Sequence, residues 1–188
     1  MSLDIVKDYF KTEKEILDKV STTTLSVISD YIFDRAKNSR IFVFGNGGSG
    51  ATASHFKCDL EKVVGCDTDK KFDVHCLNDN VYELMAIAND IDYDHVFETQ
   101  LANKRLNSND IIVAFSGSGN SKNVINAVIY AKKHLCTVIG FTGYDGGTLK
   151  QLSDLSFHVP INDMQIAEDI HMIATHCIVH DYMNIVRK

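Results

Sequence analysis

At 188 residues, 45% of them hydrophobic and 23% charged, the chain can bury a sizeable core and is too apolar to stay disordered. A formal net charge of −6 with no long Lys/Arg block excludes a nucleic-acid footprint, and no apolar run approaches the ~20 residues of a membrane span. The five cysteines (Cys58, Cys66, Cys76, Cys136 and Cys177) are odd in number and form no C-x-x-C pair, which predicts reduced thiols in a cytoplasmic protein rather than a disulfide framework or zinc finger.

The length suggests one domain over residues 1–188, opening with a helical pair at 1–38. Residues 3–20 predict a helix, because Ile5, Val6, Tyr9, Phe10, Ile16, Leu17 and Val20 recur at helical spacing. Residues 22–37 predict a second, with Leu25, Ile28, Ile32 and Ala36 on one face. Such a pair can cover a sheet face or pack against another subunit. Ile41–Phe44 is short and apolar enough for a buried strand, and the cluster Gly45-Asn46-Gly47-Gly48-Ser49-Gly50 turns it into a helix carrying His55 and Asp59. Ser49 is placed to cap that helix. The cluster also fits G-x-G-x-x-G, but the acidic residues about 20 positions on, Asp67 and Asp69, stand in a polar loop, which disfavours dinucleotide binding.

Phe72–Leu77 alternates as a second strand. Asn78-Asp79-Asn80 caps a helix reaching Ala88, Asn89-Asp90 ends it in a loop, and another helix spans about 92–105. Ile111–Phe115 is continuously apolar, as buried parallel strands are. The turn Ser116-Gly117-Ser118-Gly119-Asn120-Ser121 follows, then a helix with Val124, Ile125, Val128 and Ala131. Cys136–Phe141 and Leu155–Val159 supply the fourth and fifth strands, and a final helix runs over about 165–186. Strands alternating with helices predict an α/β fold: a mostly parallel five-stranded sheet between two helical layers.

Two strand–turn–helix units thus point Gly- and Ser-rich turns beyond one edge of the sheet, where α/β folds bind ligands. Hydroxyls and free amides at a helix start suit a phosphoryl group without needing a lysine. His55 and Asp59, four apart on one helix face, suit a metal or an acid/base couple.

The segments GNGGSGATASHF, AIANDIDYDHVF, IIVAFSGSGNSKNVINA, IGFTGYDGG and EDIHMIATH together resemble the sugar isomerase (SIS) fold, and more closely the bacterial phosphoheptose isomerases, over nearly the whole chain. The serine turn alone points to the SIS fold; the histidine of the first sheet helix with EDIHMIATH points to the heptose enzymes. The resemblance implies isomerisation of sedoheptulose 7-phosphate to D-glycero-D-manno-heptose 7-phosphate through an enediol, feeding surface polysaccharide. It implies a homotetramer with sites at subunit boundaries. By the same resemblance, Ser116, Gly117, Ser118 and Ser121 match phosphate and sugar contacts, and Asn46, Gly47, Gly48, Asn89 and Asp90 match further sugar contacts. His55 and His176 match zinc ligands, and His176 also matches a general acid.

Two positions depart from the family pattern. The family has Glu, both zinc ligand and proton-transfer base, where this chain has Asp59, and Gln where it has Glu168. Asp59 is shorter by one C–C bond, about 1.5 Å, and Glu168 restores a longer carboxylate nearby. The implied set is therefore Asp59 and His176 for catalysis, and His55, Asp59, Glu168 and His176 for zinc. Glu168 and His176 are eight apart, a rise of about 12 Å on a regular helix, so both reach one ion only at full stretch, from an irregular helix or from different subunits. His171 and His180 are spare candidates on the same helix. The competing readings are a regulatory or scaffolding SIS protein without catalysis and an isomerase of another sugar phosphate.

Overall fold

The computed structural model describes residues 3–35 and 38–186, so Ala36 and the end of the predicted second helix lie outside the described residues. The elements are α1 (Leu3–Leu17), α2 (Thr22–Arg35), β1 (Arg40–Gly45), α3 (Gly47–Cys58), a π-helical segment (Asp59–Val64) running into α4 (Gly65–Asp67), β2 (Asp73–Cys76) and α5 (Val81–Asp90). A 3-10 turn (Tyr93–His95), α6 (Val96–Asn103), β3 (Ile111–Ser116), α7 (Lys122–Lys133), β4 (Thr137–Thr142), α8 (Gly147–Leu152), β5 (Leu155–His158) and α9 (Met164–Val186) complete them.

All five strands pair in parallel, in the order β2-β1-β3-β4-β5. The period-2 alternation divides the core. Ile41, Val43, Ile111, Val113, Phe115, Ile139, Phe141 and Phe157 join α2, α3 and α9 on one face. Phe42, Phe44, Ile112, Ala114 and Val138 join α6, α7 and α8 on the other. Phe42, Phe44, Phe115 and Phe141 are fully buried, and burial of each such ring contributes about 1.5–3 kcal/mol relative to exposure. Because β1 is followed by a helix on one face and its neighbour β3 by a helix on the other, a crevice opens between their carboxyl ends, the switch point where α/β sheets bind ligands.

Four expectations change. Ser49 does not cap α3: Asn46 is the cap residue, its side chain makes no capping bond, and Ser49 is buried within the first turn. Gly47, at φ +53°, lets the helix start immediately after Asn46. Asn89 and Asp90 are the last two residues of α5, which continues until the Ile91 N–H bonds the Ile87 carbonyl. The 92–105 helix is a 3-10 turn followed by a shorter α-helix. The first helix stops at Leu17, and three of its seven apolar residues find cover: Ile16 is buried and Tyr9 and Leu17 pack on the core, while Leu3, Ile5, Val6 and Phe10 are exposed.

Candidate active site

The serine turn closes one side of the crevice. The Ser116 hydroxyl accepts from the Gly119 N–H at 3.1 Å and lies 3.4 Å from the Ser121 hydroxyl; Ser118 Oγ accepts from the Asn120 N–H at 3.2 Å. Ser121 is the cap residue of α7, and its side chain makes no capping bond. The segment from Gly143 into α8 braces this turn: the Leu149 N–H bonds the Gly119 carbonyl, the Gly143 N–H bonds the Gly117 carbonyl, and Asn120 Oδ1 accepts from the Thr148 N–H. Between the serine turn and the first glycine turn lies a cavity of about 190 Å³ that Asn46, Gly47, Ser116, Ser118, Ser121 and Glu168 help to line. It meets hydroxyls, turn amides and the amino ends of two helices, a setting that favours an anion.

α9 crosses both turns at close range. Met164 leaves no room for a side chain at Gly117, and the Glu168 carboxylate rests where any side chain at Gly48 would stand. Further along, α9 packs against α3 and the π-helical segment, with Phe56 and Leu60 joining Ile170, Ala174 and Ile178 in one core cluster. This contact brings His176 to His55 and Asp59, which stand four apart on the facing helical run. His55 Nε2 and His176 Nε2 are 2.8 Å apart, and Asp59 Oδ2 lies 3.4 Å from the first and 3.8 Å from the second. Both imidazoles are about half exposed, whereas Asp59 is mostly buried.

Two imidazole nitrogens and a carboxylate oxygen are donors that zinc accepts, and bonds of about 2.0–2.1 Å in a tetrahedron would space them about 3.3 Å apart, close to the separations found. Among the described residues, His55, Asp59 and His176 form the metal-capable group. Glu168 is not brought into it, because two turns of α9 separate it from His176 and its carboxylate points to the start of α3. His180 Nδ1 is taken up by Asn184, and His171 is fully buried, where desolvation pushes its pKa down to about 4.

The SIS domain family model matches residues 8–143. A phosphoheptose isomerase from Aliarcobacter butzleri is 34% identical over 184 residues, 95% of this chain and 95% of its own. One from Helicobacter pylori is 32% identical over 177 residues, 92% of this chain and 91% of its own. The chain belongs to the phosphoheptose isomerases of the SIS domain family. In structure, a phosphoheptose isomerase from Neisseria gonorrhoeae superposes with a TM-score of 0.85 at 27% identity, covering 94% of this SIS chain and 96% of its own. One from Francisella tularensis reaches 0.89 at 24% identity, covering 96% and 97%, and shares the fold.

Of the residues singled out in this SIS chain, Asn46, Gly47, Ser116, Gly117, Ser118, Ser121 and Glu168 line the cavity, with Gly48 beneath Glu168. Asn89 and Asp90 lie outside it, exposed at the end of α5, where Asn89 Nδ2 donates to Asp90 Oδ1. Sequence reasoning missed Ser49 and Met164 as lining residues, and also Asn123, which is buried and hydrogen-bonded to Asn46. An asparagine at the start of a helix, on the face that Val124, Ala127 and Val128 make apolar, was the available signal for Asn123.

Proposed function

We propose that this chain is an aldose–ketose isomerase that interconverts sedoheptulose 7-phosphate and D-glycero-D-manno-heptose 7-phosphate through an enediol. The observation that carries the reading is the His55–Asp59–His176 cluster formed by the same two helices, α3 and α9, whose starts meet the serine-lined cavity at the switch point. The turn hydroxyls of Ser116, Ser118 and Ser121 and the nearby amides hold the phosphate; Asn46 and the Gly47-Gly48 backbone meet the sugar. Asp59 takes the proton from C1 of the ketose as His176 protonates the carbonyl oxygen at C2; Asp59 then returns the proton to C2 while His176 recovers a proton from the C1 hydroxyl, which gives the aldose. Zinc, held by His55, Asp59 and His176, would supply Lewis-acid polarisation of the carbonyl. A regulatory SIS protein without catalysis would have no use for this paired imidazole and carboxylate set.

Glu168 lies in the substrate cavity rather than among the metal-capable donors, which supports Asp59 as the base. Glu168→Gln is then expected to keep most activity, while Asp59→Asn abolishes turnover and weakens zinc binding; kcat and bound zinc measured on both variants decide it. A dead Glu168→Gln enzyme beside an active Asp59→Asn enzyme overturns the assignment.

The same reading makes residues 1–188 one SIS domain with its helical pair at 1–38, assembled as a homotetramer in the cytoplasm. The exposed apolar residues Leu3, Ile5 and Phe10 on α1 support assembly, five free cysteines support a reducing compartment, and no helix among the described residues is long and apolar enough to cross a membrane. A monomer by sedimentation at micromolar concentration overturns the tetramer.

A further inference from the structure

Asn46 lines the cavity, and the direction of its carboxamide can be deduced from one backbone amide. The Val124 N–H can only donate, and it donates to Asn123 Oδ1 at 2.9 Å, which fixes the oxygen end of that side chain. The same oxygen accepts from Asn46 Nδ2 at 2.9 Å, so the nitrogen of Asn46 faces Asn123. In return Asn46 Oδ1 accepts from Asn123 Nδ2 at 2.9 Å. Tyr93 Oη lies 2.9 Å from that same Asn46 oxygen and is therefore its second donor. With two donors on Oδ1, both lone pairs are used, and one N–H of Nδ2 is what Asn46 has left to offer.

The three residues come from three separate segments. Asn123 is almost wholly buried at the start of α7, where an unpaired carboxamide would be costly, so the reciprocal pair is held. Tyr93 is delivered by the 3-10 turn, which α7 fastens through Asn126 Nδ2 donating to the Asp94 carbonyl at 3.0 Å. Tyr93 is 57% exposed, so it fills no core, and its hydroxyl is the part that reaches Asn46.

We propose that Tyr93 is a positioning residue: with Asn123 it locks the Asn46 carboxamide so that Asn46 meets the sugar phosphate as a hydrogen-bond donor only, selecting an oxygen acceptor on the ligand. This rests on the isomerase reading for its substrate, and the geometry of the lock stands apart from it. Tyr93→Phe removes the second anchor of the Asn46 side chain and frees one lone pair of Oδ1, so that Asn46 presents an acceptor beside its donor while Asn123 still fixes which end is which.

Steady-state kinetics with sedoheptulose 7-phosphate test this. Tyr93→Phe is expected to raise KM roughly three- to ten-fold while kcat changes less than about two-fold. In an Asn46→Ala background the same change is expected to leave KM where Asn46→Ala put it, because the effect travels through Asn46. A wild-type KM for Tyr93→Phe, or an equal rise in both backgrounds, overturns the proposal. A wild-type protein that turns over no heptose phosphate overturns the isomerase reading instead. The lock is then read from the Asn46 side-chain amide resonances: they are expected to shift in Tyr93→Phe, and unshifted resonances overturn it.

Discussion

The turn Ser116–Ser121 and the cluster of His55, Asp59 and His176 are held by opposite means. Ser116 and Ser118 bond amides of their own turn, and amides of Gly143 and of Leu149 in α8 bond the turn's carbonyls, so its shape is set before any ligand arrives. The imidazoles of His55 and His176 are about half exposed and meet each other and Asp59 at the end of a helix–helix contact. On the proposed assignment, the difference separates recognition from chemistry: a rigid cradle suits a phosphate, which does not change during the reaction, whereas proton carriers need access to a substrate whose bonding does change.

The separation breaks most visibly at His176. His176→Ala is expected to lower turnover by about 10²–10⁴-fold and to reduce bound zinc, while inorganic phosphate, followed by calorimetry, binds as in the wild type. Phosphate affinity falling in step with turnover would show that the two regions are one unit. On the other side, Ser118→Ala is expected to raise KM for the sugar phosphate roughly ten-fold with little change in kcat. An unchanged KM would place the phosphate elsewhere.

A smaller effect sharpens the comparison from below the serine turn. His171 packs against the rings of Phe115 and Phe141, and neither of its ring nitrogens has a hydrogen-bond partner among the described residues. Burial holds its native pKa at about 4, against 6.5 when unfolded. Below pH 6.5 the unfolded chain therefore binds a proton that the folded chain refuses. Stability is intact above that pH and is lost as pH falls towards 4, by up to about 1.4 kcal/mol per pH unit from this group. His171→Leu is expected to flatten the urea-midpoint profile between pH 6.5 and 4; an unchanged slope would acquit His171.

What could be read from the sequence follows from how far apart the partners are. The strands, the two turns and the His55–Asp59 pair are local: each is specified within a few residues by apolar runs, glycines or four-residue spacing. The meeting of His55 with His176 depends on α3 packing against α9, 121 positions apart, and without the family resemblance no spacing announces it. The Asn46–Tyr93–Asn123 lock was invisible for the same reason, spanning 47 and 77 positions. For Glu168, helical rise flagged a conflict with a shared ion, and only the fold shows that the side chain turns to Gly48. On α1, periodicity found the apolar residues and could not say that Ile5, Val6 and Phe10 stay uncovered by this chain.

The π-helical segment that begins at Asp59 bears on how this lineage can change in length. A π turn accommodates one residue more than the α-helix around it needs. Here Leu60 and Val64 are fully buried while Glu61 and Lys62 face outward, so the surplus is carried on the outer side. Loss of a single residue there would tighten the coil to an ordinary α-helix and leave the core residues seated. A descendant of this sequence is therefore free to lose a residue inside what looks like an uninterrupted helix, a place where deletions are otherwise seldom tolerated.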